Sequence, residues 1–293
     1  MTSPGDFDGV RKVMVTGESG FIGQHLAARL RAAGKTVVPA SRRSGIDILS
    51  DSLPLGGVEH VFHAAGRIGV PDAWREPLSF IETNGFGTAR VLEQCRVAGC
   101  GVTVVSAYIY GRPETLPISE NAPVHPNNPY AFSKYLAEQA CSFYAHHYDF
   151  PVTIVRPFNI YGPGQDERLL IPFILRQVLD PGCPVVEVMD LSPKRDYVHV
   201  ADLVEAIVQS TRAPPGALFN VGSGSAISVK DIIRTACDAA GVDKPYRGVG
   251  ERRQNEIEST IADIRHINAA VGWTPKIPFR EGLGDLIERM RAQ

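Results

Sequence analysis

Short apolar runs separated by stretches of helical period set the outline of this chain. Val13, Met14 and Val15 form the first run, and Phe21, Ile22, Leu26 and Leu30 then recur at helical spacing until Gly34. The pattern predicts a buried strand that passes into a helix. Lys35–Ala40, Val58–Ala65, Val102–Val105 and Pro151–Arg156 repeat the strand signal. Leu78–Ala98 and a segment from Tyr130 through Ala145 read as long helices. Gly66–Pro77 reads as a loop, and Pro113–Pro129, rich in proline and asparagine, excludes regular structure. Farther on, Leu169–Leu179 and Ala201–Thr211 are helical, while Val185–Met189 and Arg195–Val200 read as strands. Phe219–Ser225 is a strand and turn, Ser228 caps a helix over Val229–Ala240, and an amphipathic helix closes the chain. Met1–Gly9 reads as a mobile tail.

Gly17, Gly20 and Gly23 sit between the first strand and the first helix. Without Cβ atoms there, backbone N–H groups and the positive end of a helix can close on a pyrophosphate. A glycine pattern alone is also met in ordinary turns, but here the strand precedes it and the helix follows, the context that a dinucleotide site requires. An acid near the end of the second strand would hold a free ribose 2′-hydroxyl. No Asp or Glu lies between Lys35 and Ser44; the residues are Ser41, Arg42, Arg43 and Ser44, two cations and two hydroxyls suited to a 2′-phosphate. NADP(H) is therefore favoured, with NAD possible, and a solvated basic turn is the plainer alternative.

Composition narrows the classes without choosing one. With 293 residues, 44% hydrophobic and 21% charged, the chain suits one large α/β domain or two joined lobes. A formal net charge of −2 gives no reason to expect nucleic acid or a membrane as partner. No apolar run reaches bilayer length, and Met1–Gly9 lacks the regions of a signal peptide. Cys95, Cys100, Cys141, Cys183 and Cys237 are scattered and form no CxxC pair. They read as free thiols in a reducing cytoplasm, with no metal site.

The fourth strand delivers Ser106 at its carboxyl end, the side on which ligands bind in open α/β sheets. Tyr130 and Lys134 stand four apart and so share a helix face. A nearby ammonium favours phenolate, which suits Tyr130 to exchange a proton. Asn84 suggests a polar buried spot, and His63 reads as a packed strand-end histidine rather than a base.

Taken together, TGESGFIG (Thr16–Gly23), Ser106 with Tyr130xxxLys134, RPFNIYGPGQ, RDYVHVAD, FNVGSGS and GWTPKIPFREGL resemble the extended short-chain dehydrogenases/reductases that act on nucleotide sugars. The resemblance is collinear from about Arg11 to the end. It implies a Rossmann doubly wound parallel sheet with a smaller, interleaved carboxyl-terminal substrate lobe. Residues 10–159 with 195–217 would form the first, and 160–194 with 218–293 the second. It also implies that Tyr130 is the acid/base, that Lys134 holds the nicotinamide ribose and lowers the pKa of Tyr130, and that Ser106 bonds the reacting oxygen. Gly17, Gly20, Phe21, Ile22 and Gly23 would line the pyrophosphate, and Asp47 and Ile48 the adenine. Ala64, Ala65 and Gly66 would flank the middle of the cofactor, and Pro157 the nicotinamide amide. Asn159, Arg195, Arg253 and Glu256 would hold the diphosphate and nucleoside ribose of the sugar, although each Arg is also readable as surface charge.

The family's 4,6-dehydratases carry an Asp–Glu pair after the catalytic hydroxyl residue; here Ala107 and Tyr108 stand there. The turn Val188–Asp196 looks more like that of 4-keto-6-deoxyhexose reductases. A reductase run from NADPH is the first expectation. A 4-epimerase holding NAD tightly is the alternative, a decarboxylase remains open, and a non-catalytic dinucleotide-binding protein is a third class. The resemblance further implies a cytoplasmic homodimer joined as a four-helix bundle by Leu78–Ala98 and Tyr130–Ala145.

Overall fold

The computed structural model describes residues 9–250 and 257–292. Strand β1 (Lys12–Thr16) turns through the glycines into helix α1 (Phe21–Ala32), and β2 (Thr36–Ala40) and β3 (His60–His63) follow. Helices α2 (Val70–Arg75) and α3 (Pro77–Phe80) lead through a π-helical segment, Ile81–Phe86, into α4 (Gly87–Ala98). The expected loop at Gly66–Pro77 is thus corrected: it contains α2, a six-residue helix opened by Pro71. The long helix expected over Leu78–Ala98 is present, widened in its middle to a π turn.

Strands β4 (Gly101–Val105) and β5 (Val152–Pro157) flank α5 (Pro129–Tyr148). Asn128 caps α5 by accepting the Ala131 N–H at 2.9 Å, and Pro129 needs no N–H partner in that first turn. Next come β6 (Asn159–Tyr161), α6 (Leu170–Leu179), β7 (Val186–Val188), β8 (Lys194–Arg195), β9 (Tyr197–His199) and α7 (Val200–Ser210). The chain closes with β10 (Leu218–Val221), β11 (Ile227–Ser228), α8 (Val229–Ala240), β12 (Tyr246–Gly248), α9 (Arg265–Val271) and α10 (Phe279–Arg291). Ser228 caps α8 as expected, accepting the Asp231 N–H at 3.1 Å.

Six strands form one parallel sheet in the order β10-β5-β4-β3-β1-β2. Alternate residues feed opposite faces. Val13 and Val15 join a core with Leu26, Leu30, Leu203, Ile207 and Phe219, while Met14 joins one with Val91, Leu92, Val104 and Ile154. Each such fully buried side chain contributes about 1.5–3 kcal/mol. β10 completes this sheet beside β5, so residues 218–221 belong to the central sheet. A further core gathers Ile174, Leu175, Ile232, Ile233, Leu283 and Ile287 from α6, α8 and α10.

The strand order reverses between β1 and β3, since the chain goes from β1 to β2 toward one edge and from β3 to β4 toward the other. A crevice opens at the carboxyl ends of strands at such a point. Among the described residues, no helix is long and apolar enough to cross a membrane, and no group of three or more His, Cys, Asp or Glu could hold a metal.

Candidate active site

The crevice is lined first by glycine. A Cβ on Gly17 would stand 2.7 Å from the Cα of Ala65, and one on Gly23 would stand 2.1 Å from the carbonyl oxygen of Gly17. Gly17 also has a φ of +69°, which L side chains rarely adopt. The first i→i−4 bond of α1 runs from Gln24 N–H to the Gly20 carbonyl, 3.0 Å, so the N–H groups of Phe21, Ile22 and Gly23 precede it. No acidic side chain occupies the first turn of α1 and no side chain caps Gly20. This cradle fits a dinucleotide pyrophosphate.

The end of β2 is tied to the cradle, the Gly17 N–H donating to the Ala40 carbonyl at 2.8 Å. Ser41 and Ser44 form a reciprocal cap, with Ser41 N–H donating to Ser44 Oγ at 2.8 Å. Their hydroxyls serve the turn Arg42–Ser44, which leaves the two exposed guanidinium groups. Arg42 Nε lies 3.3 Å from Asp47 Oδ2, a solvated pair worth at most about 1 kcal/mol. Ile48 is buried against Gly87, where a Cβ would come within 2.9 Å of its Cδ1.

At the end of β3, His63 lies 2.7 Å from Thr16 Oγ1 through Nδ1 and 3.0 Å from Thr88 Oγ1 through Nε2. Burial, helped by the Lys134 charge, lowers its pKa to about 3. It is a packed neutral histidine, as its position suggested. Gly66 lies over the site: a Cβ there would meet Asn84 Oδ1 at 2.8 Å and Lys134 Nζ at 3.3 Å. Asn84, carried on the π turn, donates to Ser133 Oγ at 2.9 Å and accepts the Arg67 N–H at 2.8 Å. Ser133 in turn donates to the Tyr130 carbonyl at 2.8 Å.

Helix α5 supplies Tyr130 and Lys134. Lys134 Nζ donates to the Val105 carbonyl at 3.0 Å, one residue before Ser106. Burial lowers the pKa of this ammonium to about 8, with the Glu138 charge acting against the fall. Burial pushes the Tyr130 phenol up to about 12. The ring of Phe80 meets that of Tyr130 edge-on at 6.3 Å. The Ser106 hydroxyl donates to Glu138 Oε1 at 2.5 Å.

Glu138 and Arg156 escaped the sequence reading. Arg156 Nε donates to Glu138 Oε1 and Oε2 at 2.9 and 3.0 Å, and the pair's side chains are 6% and 3% exposed. The signal was present, since Glu138 lies one further turn beyond Tyr130 and Lys134. Arg156 also donates to Tyr110 Oη at 2.8 Å, and Tyr110 donates to Asn220 Oδ1 at 2.7 Å.

Farther along the chain, Pro157 ends β5 buried, and Asn159 is exposed at the start of β6, held by its N–H to the Asp196 carbonyl at 3.0 Å. The Asp196 carboxylate, fully buried, accepts the N–H groups of Ser223 (2.6 Å), Gly224 (3.0 Å) and Ala262 (2.9 Å). Burial pushes its pKa up while these bonds act against the rise. That clamp fixes the strand carrying Arg195, whose Nη1 donates to the Ile257 carbonyl at 2.7 Å. Tyr108 packs on Phe158 with ring centroids 5.3 Å apart and donates to the Gly111 carbonyl at 2.6 Å. Arg253 and Glu256 lie outside the described residues.

The sequence profile of the NAD dependent epimerase/dehydratase family matches residues 13–222. The chain belongs to that family. It is 31% identical to the GDP-6-deoxy-D-mannose reductase of Pseudomonas aeruginosa, an alignment covering 93% of this chain and 95% of that one. It is 30% identical to the UDP-glucose 4-epimerase of Mycolicibacterium smegmatis, covering 96% and 98%. A solved structure of RMD from Pseudomonas aeruginosa complexed with NADPH superposes with a TM-score of 0.87 at 30% identity, over 96% of this chain and 99% of that one. This enzyme of the epimerase/dehydratase family is thus similar to a reductase and to an epimerase at nearly equal distance.

Proposed function

We propose that this enzyme reduces the C4 ketone of a nucleotide-linked 4-keto-6-deoxyhexose, using NADPH in preference to NADH. The observation that carries this choice is the pair of exposed guanidinium groups, Arg42 and Arg43, at the end of β2. A ribose 2′-phosphate calls for such cations, whereas a free 2′-hydroxyl is held by an acid. The Pseudomonas relative, a reductase by name, and RMD with its NADPH support the reading. Ala107 and Tyr108, which carry no carboxylate, speak against elimination of water.

The glycine cradle holds the pyrophosphate, Asp47 and Ile48 flank the adenine, and Ala64, Ala65, Gly66 and Pro157 border the nicotinamide half. A bound reduced nicotinamide supplies hydride to C4. Tyr130, kept protonated by burial, supplies the proton to the C4 oxygen, so that the ketone becomes an alcohol. Lys134 sets the nicotinamide ribose with its ammonium, and Ser106 hydrogen-bonds the reacting oxygen. Asn159 and Arg195 hold the sugar's diphosphate.

The working unit is a homodimer joined through the helical run Leu78–Ala98 and α5. Leu78, Phe86, Val97, Phe132, Phe143 and Tyr148, all exposed, support it, since apolar surface of this kind seeks a partner.

A second reading is a 4-epimerase with tightly bound NAD. It is favoured by the Mycolicibacterium relative and by Asp47, which draws Arg42 toward itself.

A cofactor balance separates the two. The purified protein would be given NADPH or NADH with a panel of nucleotide-linked 4-keto-6-deoxy sugars and of 4-hydroxy sugars. Stoichiometric loss of reduced cofactor, faster with NADPH, supports the reductase. No loss, with inversion of a 4-hydroxy sugar, replaces it by the epimerase.

A further inference from the structure

Away from the crevice, the Glu120 side chain is only 10% exposed. Its Oε1 accepts the Asn220 N–H at 2.8 Å and stands 3.8 Å from Nδ1 of His266. Among the described residues, Oε2 has no hydrogen-bond partner, and no Lys or Arg pairs with this carboxylate. A charge taken this far out of water is costly unless a partner meets it. The neighbouring Asp263 differs, since Arg265 Nε donates to both of its oxygens, at 2.9 and 3.2 Å.

Glu120 lines a cavity of about 620 Å³, together with Ser119, Asp263, His266 and the start of β10. That volume lies within the span of small-ligand sites, roughly 300–1,000 Å³. Strand β10 is an edge of the central sheet. The carbonyls of Ala217 and Val221 accept the N–H groups of Ile154 and Phe158, both at 2.8 Å, so both face β5. Carbonyls alternate in direction along a strand. The Leu218 carbonyl therefore turns away from β5, and Leu218 lines the cavity. A carboxylate and a carbonyl both accept hydrogen bonds and donate none.

We propose that this cavity is a second binding site, separate from the dinucleotide crevice, for a small organic cation: an alkylammonium or an alkylguanidinium. Its N–H groups donate to Glu120 Oε2 and to the Leu218 carbonyl, and its charge offsets the carboxylate. An anion is repelled by Glu120, and a neutral ligand leaves that charge without a counterpart. The cavity contains none of the cradle glycines and none of Ser106, Tyr130 and Lys134, so the inference stands apart from the reaction proposed above.

The probe is agmatine, which carries both cationic groups, titrated calorimetrically into the full chain. Butylurea, a neutral analogue with a similar hydrogen-bonding head, is titrated beside it. Agmatine is expected to bind saturably in the millimolar range, and butylurea at least about 10-fold more weakly, as the loss of a charged hydrogen bond implies. Glu120→Gln keeps an oxygen for the Asn220 N–H while removing the charge, and is expected to weaken agmatine by about 10-fold or more. If that variant does not fold, the wild type carries the test: agmatine must shift the imidazole proton resonances of His266 along the calorimetric isotherm. Absence of saturable binding, equal affinity for butylurea, undiminished binding to Glu120→Gln, or unmoved His266 resonances would each overturn the inference.

Discussion

Lys134 donates to the carbonyl of Val105 across 3.0 Å, which ties helix α5 to the strand end that carries Ser106. Burial holds this ammonium's pKa at about 8, below its ordinary 10.5. A step that needs its charge fades as pH rises through about 8, so kcat/KM is expected to fall along an alkaline limb there. Stability runs the other way. Between about 8 and 10.5 the unfolded lysine binds its proton more tightly than the folded one, so this group's contribution to native stability grows with pH. A pH–rate profile flat to pH 10 would show that Lys134's charge is not used.

Tyr130→Phe removes only the proton donor. Turnover is expected to drop about 10²–10⁴-fold, while dinucleotide binding, followed by quenching of intrinsic fluorescence, stays at the wild-type value. Full turnover in the variant would remove Tyr130 from the chemistry.

Arg42→Ala with Arg43→Ala tests the choice of cofactor. Each charged hydrogen bond lost contributes about 1.5–3 kcal/mol, so affinity for NADPH is expected to fall by roughly 10-fold or more per bond. NADH should hardly change. Equal losses for both would mean that the two guanidinium groups meet no 2′-phosphate.

Gly23→Ala places a methyl group 2.1 Å from the Gly17 carbonyl oxygen, backbone against backbone. The loop must move, at a cost of about 1–3 kcal/mol. Thermal melting should register that loss, and titration with NADPH should show binding abolished. Wild-type binding would place the pyrophosphate elsewhere.

Light scattering is expected to give twice the chain mass at micromolar concentration. Leu78→Glu together with Phe143→Glu, at two exposed apolar positions, should return the monomer. A monomeric wild type would leave those side chains without the role given to them.

The parts of this fold that were legible in the sequence are those governed by near neighbours. Val13–Val15, the three glycines and the helical recurrence of Phe21 to Leu30 act within twenty residues, so periodicity alone locates β1, the cradle and α1. Tyr130 and Lys134 share a face by spacing, as α5 bears out. Helix α2 gives no such signal, because its six residues between Gly69 and Glu76 are too few to show a period. The pairing of β10 with β5 joins segments more than sixty residues apart, and no local pattern encodes it. Ser41 and Ser44 carry the right chemistry for a phosphate, yet spend it on their own turn. Ser106 was visible as a strand-end hydroxyl, but the direction of its proton depends on Arg156 and Glu138, brought together only by the folded sheet.

The core on α6, α8 and α10 shares no residue with the one that backs the glycine cradle. They meet along β6 and β9, where Tyr161 and Tyr197 enter the later core while Ile160 and Val198 face the earlier one. Most of the later core can therefore be repacked without touching the glycine cradle, with those two short strands as the shared edge. On the proposed function, redirecting the enzyme toward another sugar would begin in that later core, at positions away from the shared edge.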